Sequence, residues 1–545
     1  MKSKQTMAAS LLLLAGAAGA QAIPNFSLVG QNLTSNPNLT AYEISAYDKF
    51  TNRLFSTVGG DRLEIFNFGT GRSLVDVGDV DFSSVGTFRS FSSVSIDPLG
   101  RGFGVVSAIP EDNTGTPGKA IFFNTTTGAI LGSVNVGFHP DMITFSPDGT
   151  KILVANEGEP ALAPTVADGV GSVSVININA GALGSSTVTN ISLNAVNLAG
   201  LRINPANAGT PVNDLDPEYI AISADGSKAF VSIQEANAVI TIDLTGPSAN
   251  TITKTNALGT IVQTIDASNT DGGPTDRHPF ASIFMPDAIA TYSIGGKNYY
   301  LTANEGDTRD GAEFPFMQSD FITLADANAQ GLLDAATAAS LDLSPNGVGN
   351  LVISRFDGNT DADPQIEVPH AFGTRSFTIW DAETGAMVFD SGSDFEEITA
   401  LLANSIYNSS NSNTGATNRD SRSDDKGPEP EAVTIGLIDG RIYAYIGLER
   451  TGGFFVYDIT DPNNPFFVEY ENPALIRGSG ATRRPEGLVF ISAADSPTGE
   501  SFLVLSHEDR GGIQVYANGI PEPMTLGLLG ISLPLLLSRR RRIEA

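Results

Sequence analysis

One strand-turn-strand unit recurs along this chain, and it limits the possible fold more than any other feature. Each copy opens on a Pro-acid step, runs along a mostly apolar strand, turns at a Gly-containing segment and returns to a glutamate. The opening and closing acids of the five copies are Asp141 and Glu157, Glu218 and Glu235, Asp287 and Glu305, Glu431 and Glu449, and Glu486 and Glu508. Short strands separated by turns of this kind indicate a many-stranded antiparallel fold.

The position of the turn predicts where the paired acids lie. In each copy the midpoint between the two acids falls on or beside the turn, for example at Gly149 and Gly440. A hairpin folded there brings its two carboxylates together at the open end. If all five openings converge on one face, ten carboxylates surround the mouth of a central channel.

Further strands complete the repeat. A third strand follows most hairpins, and weaker copies of the unit precede the five at 43–68 and 91–136. The strand at 26–29 is placed to close the ring by joining the last copy. We therefore predict an all-β fold: a single β-propeller of about seven blades, in which closure removes the free edges.

A long insertion interrupts the fifth blade at about 306–428. We predict two helices in it, over 324–343 and 395–407, followed by a polar Asn/Ser run. Insertions in repeat folds usually decorate one face, which is often the binding face.

The two ends of the chain resemble address signals. Residues 1–22 have the basic, apolar and small-residue order of a signal peptide cleaved after Ala22, so residues 23–518 form the predicted mature propeller. In the tail, 519–545, Pro521, Glu522 and Pro523 precede an apolar stretch too short to span a bilayer comfortably, and then four arginines.

This tail resembles the PEP-CTERM sorting signal of Gram-negative bacteria. The resemblance implies an exosortase partner, transient anchoring in the inner membrane by the tail alone, and a cell-surface or extracellular-matrix destination. We therefore expect an exported protein of the cell envelope.

Charge and composition exclude several classes. The chain has 61 acidic and 31 basic residues and a net charge of −30, which argues against nucleic acid as a partner. It has no cysteine, so an exported protein of this kind depends on its core for stability. We find no nucleotide, haem or zinc motif and no nucleophile elbow.

The ten carboxylates suggest a metal. Like charges held close together repel unless a cation neutralises them, and Ca²⁺ accepts six to eight oxygen ligands in flexible geometry. The alternative is that these acids cap turns and pair with arginines. The sequence leaves both interpretations open.

A second candidate calcium site lies in the insertion. Asp357, Asn359, Asp361 and Asp363 alternate like the start of a calcium loop. The segment has Ala362 where such a loop has Gly and Val368 where it has Glu, so a solvated acidic loop is the alternative.

Basic residues among the acids suggest a different ligand. Arg309, Arg375, Arg422, Lys426 and Arg450 are candidates for binding a ligand phosphate. Together with a metal they would suit a phosphatase or phosphodiesterase at the channel mouth. Salt bridges to the acids explain the same residues equally well.

Several longer segments resemble the choice-of-anchor I domain family. They include 139–149, 155–160, 214–219, 371–381, 422–431 and 447–450, and the resemblance covers about 40–517. It implies YVTN-like propeller blades and a C-terminal anchor that varies among members. We expect a cation-stabilised surface module that binds a glycan, protein or phosphoester. The alternative is a metal-dependent phosphoric ester hydrolase.

Overall fold

The computed structural model describes most of the chain between the two predicted address signals. The described residues are 24–33, 42–111, 115–158, 170–205, 209–274, 277–308, 319–361, 363–410, 418–472, 484–508 and 512–519. The predicted signal peptide, with Ala22, lies outside them, and so does the predicted PEP-CTERM tail after Gly519, with Pro521 to Pro523.

The described strands form seven four-stranded antiparallel sheets and one five-stranded sheet. Sheet one contains β2 (Tyr42–Asp48), β3 (Arg53–Val58), β4 (Arg62–Phe68) and β5 (Leu74–Asp79). Sheet two contains β6 (Phe88–Ile96), β7 (Phe103–Pro110), β8 (Lys119–Asn124) and β9 (Ile130–Asn135). Sheet three contains β10 (Pro140–Phe145), β11 (Lys151–Asn156), β12 (Ser172–Asn177) and β13 (Thr187–Ser192). Sheet four contains β14 (Pro217–Ile222), β15 (Lys228–Ile233), β16 (Ala238–Asp243) and β17 (Thr251–Ala257).

The remaining sheets follow the same order with one interruption. Sheet five contains β20 (Ile289–Ile294), β21 (Lys297–Ala303), β25 (Phe377–Asp381) and β26 (Met387–Asp390). Sheet six contains β27 (Pro430–Ile438), β28 (Arg441–Leu448), β29 (Phe454–Asp458) and β30 (Phe466–Glu471). Sheet seven contains β31 (Pro485–Ile491), β32 (Phe502–His507), β33 (Gly512–Asn518) and the N-terminal β1 (Phe26–Leu33).

The seven sheets are arranged in a ring. The first strand of each sheet lies beside the first strands of the sheets before and after it, and β31 of sheet seven lies beside β2 of sheet one. Strand β1 pairs antiparallel with β33, and the Phe26 ring packs against Tyr445 and Phe454 of sheet six. The prediction of an all-β, propeller-type fold is confirmed.

The core lies between neighbouring sheets. Seven hydrophobic clusters of the described residues each join one sheet to the next, including the pair formed by sheets seven and one. In the cluster between sheets three and four, for example, Leu153 and Val175 pack with Val231 and Ile240. Burying both faces of every sheet in this way explains why the strands are rich in continuous apolar runs.

The insertion differs from its prediction in two respects. Strands β25 and β26 lie within 306–428 but belong to sheet five. The five-stranded sheet joins β22 (Phe321–Thr323), β23 (Val352–Ser354) and β24 (His370–Phe372) to β18 (Thr260–Asp266) and β19 (Arg277–Ile283), which precede the predicted boundary. Such pairing between distant segments is not visible in local sequence patterns.

The helices are shorter than predicted. They are α1 (Leu324–Ala329), α2 (Ala335–Ser340) and α3 (Asp394–Leu402), with 3₁₀ turns at Leu183–Ser185, Leu193–Ala195, Pro211–Asp214 and Asn404–Ile406. The predicted helix over 324–343 is broken because Gly331 adopts φ +72° and Asp334 caps a new helix by accepting hydrogen bonds from Ala336 N and Thr337 N.

Candidate functional site

A recurring irregularity in the first strand of each sheet positions the acids. The pairing register of these strands with their second strands shifts just after the strand begins in sheets one, three, four, six and seven, and between Phe91 and Val94 in sheet two. The residues at the shift are Glu43, Ser92, Asp141, Glu218, Glu431 and Glu486. In sheet five, Asp287 N donates to Ala303 O just before β20. A β-bulge re-aims a side chain, and here it does so at equivalent positions around the ring.

Backbone hydrogen bonds hold the paired acids at the hairpin openings. Glu157 N donates to His139 O at 3.0 Å, and His139 lies two residues before Asp141. The same bond runs from Glu449 N to Glu429 O at 2.8 Å and from Glu508 N to Arg484 O at 3.0 Å. In these three sheets the predicted juxtaposition of opening and closing acids is therefore present.

A cavity of about 280 Å³ lies at this end of the ring. Its lining includes five carboxylates and three serines, while Ile44, Met142 and Tyr219 supply a less polar part of the wall. The acids are Glu43, Asp141, Asp287, Glu486 and Glu508. Tyr219 also packs against three of the inter-sheet clusters. We call this acid-lined cavity the cup.

The first group of acids, the acid sector, comprises Glu43, Asp141, Glu157, Glu218 and Asp287. Asp141, Glu157 and Glu218 each offer one oxygen within 4.8 Å of the others, although Glu218 comes from the neighbouring sheet. His139 Nδ1 lies 2.9 Å from Glu157 Oε2. Three convergent carboxylate oxygens of this kind suit a hard cation.

Burial and charge repulsion raise the pKa values of several acids in the acid sector. Burial, followed by the charges of Glu157 and Glu235, raises the pKa of Glu218 well above its ordinary value. Burial and neighbouring acids likewise raise the pKa values of Glu43 and Asp287. Within the described part of the chain, no lysine or arginine forms an ion pair with Glu43, Glu218 or Asp287.

The second group, the paired sector, comprises Glu305, Glu429, Glu431 and Glu449. Glu305, Glu431 and Glu449 again bring one oxygen each within 4.8 Å of the others, from two neighbouring sheets. Here a lysine is present, because Lys426 Nζ lies 2.6 Å from Glu305 Oε1 and 3.1 Å from Glu429 Oε2.

Glu429 is the centre of the paired sector. Besides Lys426, it contacts Arg422 Nη2 at 2.5 Å and Arg450 Nε at 3.2 Å. Although burial alone would raise its pKa, Lys426, Arg422 and Arg450 lower it to about 2. Arg450 Nη2 also lies 3.1 Å from Glu449 Oε1. Glu305, Glu429 and Glu449 therefore already have counter-charges, whereas burial and neighbouring acids raise the pKa of Glu431 well above its ordinary value.

The five basic residues predicted to bind a ligand phosphate do not lie together. Arg422, Lys426 and Arg450 lie in the paired sector, as the salt-bridge alternative proposed. Arg375 lies elsewhere: it is 1% exposed and donates to Glu396 Oε1, Asp266 O, Ser423 O and Asp425 O. These contacts make it a structural brace with no surface for a phosphate. Arg309 lies outside the described residues.

The predicted calcium loop is only partly assembled. Asp357 is held by Arg202, whose Nε lies 2.8 Å from Asp357 Oδ2, so this acid is used internally. Asp361 and Asp363 come within 4.8 Å of an oxygen of Glu367, which the sequence interpretation did not include. Each of these three carboxylates accepts a hydrogen bond from a backbone N–H of the same loop: Glu367 from Thr360, Asp361 from Asp363, and Asp363 from Gln365. The side-chain amide of Asn359 donates to Asp363 O.

A further acidic group was not predicted. Asp266, Asp271 and Asp420 each place one oxygen within 4.8 Å of the others. They lie beside the brace of Arg375 and Glu396, and Tyr407 Oη donates to Asp266 Oδ2 at 2.9 Å. Burial and Glu396 raise the pKa of Asp266 to about 7.

Comparison with known proteins identifies the family. The family model for the choice-of-anchor I domain matches residues 43–462, which is more than half of the chain. The chain belongs to the choice-of-anchor I domain family. This agrees with the resemblance stated from the sequence. The matched range includes every residue of the acid sector and the paired sector, whereas Glu486 and Glu508 of sheet seven lie beyond it.

Two curated relatives share part of the choice-of-anchor I chain. Gigasin-3a of Magallana gigas is 27% identical over 191 residues, which are 32% of this chain and 67% of that protein. The mesenchyme-specific cell surface glycoprotein of Strongylocentrotus purpuratus is 26% identical over 229 residues. These are 37% of this chain and 29% of the glycoprotein.

One similar solved structure is the β-propeller domain of Cps50 (Swd1) from Myceliophteria thermophila. It is 9% identical with a TM-score of 0.41, and the match covers 89% of this chain and 99% of that domain. Among the residues that the structure describes, no helix is both long and apolar enough to cross a membrane.

Sequence reasoning missed three residues of the site. Glu43 has no acidic mirror at the end of its hairpin, yet the register shift in β2 places it in the cup. Ser92 occupies the equivalent position in sheet two without a charge. Glu429 lies two residues before Glu431 and is the acceptor of three cations. The Pro-Glu-Pro-Glu run at 428–431 was the one local signal for it.

Proposed function

We propose that this protein is an exported surface or matrix module built on a seven-bladed propeller, in which the acid sector binds Ca²⁺ and stabilises the face that meets a ligand. The seven four-stranded sheets and their ring of first strands support the blade count. The printed name of the sea-urchin relative, a cell surface glycoprotein, supports the location.

One observation carries the cation proposal. Six of the seven first strands place a carboxylate at the equivalent position near their start. Among the described residues, Glu43, Glu218 and Asp287 form no ion pair with a lysine or arginine, and burial together with neighbouring acids raises their pKa values. Burying several unneutralised carboxylates together is costly, so a cation that binds only the folded form stabilises it. Ca²⁺ fits better than Mg²⁺ because the oxygens come from separate sheets and Mg²⁺ requires near-ideal octahedral geometry.

A metal-dependent phosphoric ester hydrolase is the second candidate function, and the geometry favours it less than cation binding. Arg484 Nη1 lies 3.7 Å from Glu508 Oε2 of the cup, and Arg450 Nη2 lies 3.1 Å from Glu449 Oε1, so basic groups lie near the acids as phosphate binding needs. Arg450 is already bonded to Glu429 and Glu449, however, which leaves fewer donors for a phosphate.

The test is the melting temperature of the protein in EDTA, Ca²⁺ and Mg²⁺. We expect Ca²⁺ to raise the melting temperature, with an effect of about 2.7 kcal/mol at one hundred times the dissociation constant, and Mg²⁺ to have a smaller effect. Asp287→Asn should reduce the Ca²⁺ response, whereas the exposed control Glu383→Gln should retain it. Equal melting in EDTA and Ca²⁺ would refute the proposal. Turnover of p-nitrophenyl phosphate or its bis-ester that Asp287→Asn abolishes would favour the hydrolase.

A further inference from the structure

The two groups of three acids have the same construction but different surroundings. In each, an opening and a closing acid of one sheet meet one acid of a neighbouring sheet, and the three oxygens lie within 4.8 Å. The Glu305–Glu431–Glu449 group has a lysine ammonium beside it, whereas the group of Asp141, Glu157 and Glu218 has an imidazole, that of His139. The two groups therefore differ in the basic side chain beside them, which is Lys426 in one and His139 in the other.

Lys426 contacts three carboxylates through its ammonium. Its ammonium lies 2.6 Å from Glu305 Oε1, 2.9 Å from Asp307 Oδ1 and 3.1 Å from Glu429 Oε2, and its side chain is 7% exposed. An ammonium has three N–H donors, and here three carboxylates accept them. The arrangement is that of a cation held by three oxygen ligands.

The chain also fixes the segment that carries Lys426. The buried guanidinium of Arg375 donates to Ser423 O at 2.9 Å and to Asp425 O at 2.7 Å, so it holds the backbone on both sides of residue 424. Gly427 has φ +68°, and a Cβ on it would lie 2.8 Å from Arg375 Cδ. The segment thus packs closely on Arg375, which acts as a positioning residue for the ammonium.

We propose that Lys426 is the resident counter-cation of the paired sector and excludes a divalent cation from the Glu305–Glu431–Glu449 group. This inference rests on the proposed function in so far as it assigns the exogenous ion to the acid sector alone. A Ca²⁺ ion beside Glu305 would have to displace the ammonium or share its oxygen at like-charge repulsion. Lys426 therefore determines how many ions the ring accepts and where.

The experiment is calorimetric titration of the EDTA-stripped protein with Ca²⁺, comparing wild type with Lys426→Met. We expect the variant to bind one more Ca²⁺ per chain than wild type. The matched control is Lys228→Met, because Lys228 forms an ordinary ion pair with Asp243 at 2.9 Å in sheet four. This control should keep the wild-type stoichiometry. Equal stoichiometry in wild type and a folded Lys426→Met variant would overturn the inference.

The two proposals fail in different ways. If wild type binds no Ca²⁺ but Lys426→Met binds one ion, the proposed function of the acid sector fails and the role of Lys426 is supported. If wild type binds Ca²⁺ and the folded variant gains nothing, the role of Lys426 fails and the acid sector stands.

A measurement on wild type covers the case in which Lys426→Met does not fold. Amine acylation followed by mass spectrometry should leave Lys426 unmodified with and without Ca²⁺, because its ammonium is enclosed and bonded. Lys228, with 30% of its side chain exposed, should react in both conditions. Labelling of Lys426 that appears when Ca²⁺ is added would show that the metal displaces it and would overturn the inference.

Discussion

The acid sector and the paired sector are two parts of one ring, built by the same hairpin repeat, and they differ in how their charge is balanced. In the paired sector Lys426, Arg422 and Arg450 surround Glu429 and hold its pKa near 2. In the acid sector burial and neighbouring acids raise the pKa of Glu218. The repeat positions the acids, and Lys426 and Arg422 of the insertion, together with Arg450 of sheet six, neutralise Glu429.

The largest expected effect is in the paired sector. Glu429→Gln leaves three basic groups without their shared acceptor, and breaking a buried ion pair in this way costs about 3–5 kcal/mol. We expect the free energy of unfolding, measured by urea denaturation in EDTA, to fall by that amount. Glu383→Gln on the exposed surface should change it by less than about 0.5 kcal/mol. A loss in Glu429→Gln as small as in this control would contradict the account of the paired sector.

The second prediction concerns pH, and Glu486 of the cup and Glu429 of the paired sector contribute with opposite signs. Burial and Glu508 raise the pKa of Glu486, which lines the cup, from 4.5 to about 8. The folded protein therefore keeps a proton that the unfolded chain releases, and the associated stability is full below pH 4.5 and lost as pH rises through about 8. Glu429, with its pKa lowered from 4.5 to about 2, contributes stability above pH 4.5 that is lost as pH falls through about 2.

The measurement is the free energy of unfolding in EDTA across this range. We expect it to decrease between about pH 5 and pH 8, because the raised carboxyl groups that titrate there outnumber His370, whose lowered pKa has the opposite effect on stability. It should decrease again under strongly acidic conditions. Saturating Ca²⁺ should flatten the first decrease and leave the second. A profile in EDTA that rises from about pH 5 to pH 8 would show that the raised acids are already balanced.

The smallest expected effect lies in the acid sector itself. Glu218→Gln keeps the shape of the side chain and removes the free-energy cost of burying a carboxyl group among other acids, so in EDTA it should stabilise the protein by about 1–2 kcal/mol. In Ca²⁺ the same change removes a ligand, and the variant should then gain less stability from Ca²⁺ than wild type gains. Thermal melting in both conditions checks the sign. Destabilisation in EDTA would indicate that Glu218 already has a counter-charge.

The fold was largely predictable because its signals are local. The Pro-acid step, the turn and the closing glutamate recur within some 20 residues, so their spacing alone placed Asp141 beside Glu157 and Glu431 beside Glu449. Glu43 was less visible because its hairpin ends without an acid, and only the register shift in β2 shows its position.

The counter-charges were not predictable in detail because they depend on contacts between distant segments. Lys426 and Glu305 are 121 residues apart in the sequence, yet their side chains are bonded. Arg202 and Asp357 are 155 residues apart, and their bond uses an acid of the predicted calcium loop. Arg375 looked like a ligand arginine because it lies among acids in the sequence. In the fold it is buried against Glu396 and carries the segment that presents Lys426.

The most direct test of the central claim is Ca²⁺ binding by calorimetry at about pH 7 in two buffers with different ionisation enthalpies. If the acid sector holds protons because its carboxylates repel, a cation that binds there must release them. We predict Ca²⁺ uptake with net proton release, weakened in Glu218→Gln and unchanged in the exposed-loop control Asp363→Asn. Absence of Ca²⁺ binding, or binding that Asp363→Asn abolishes and Glu218→Gln does not affect, would contradict the account.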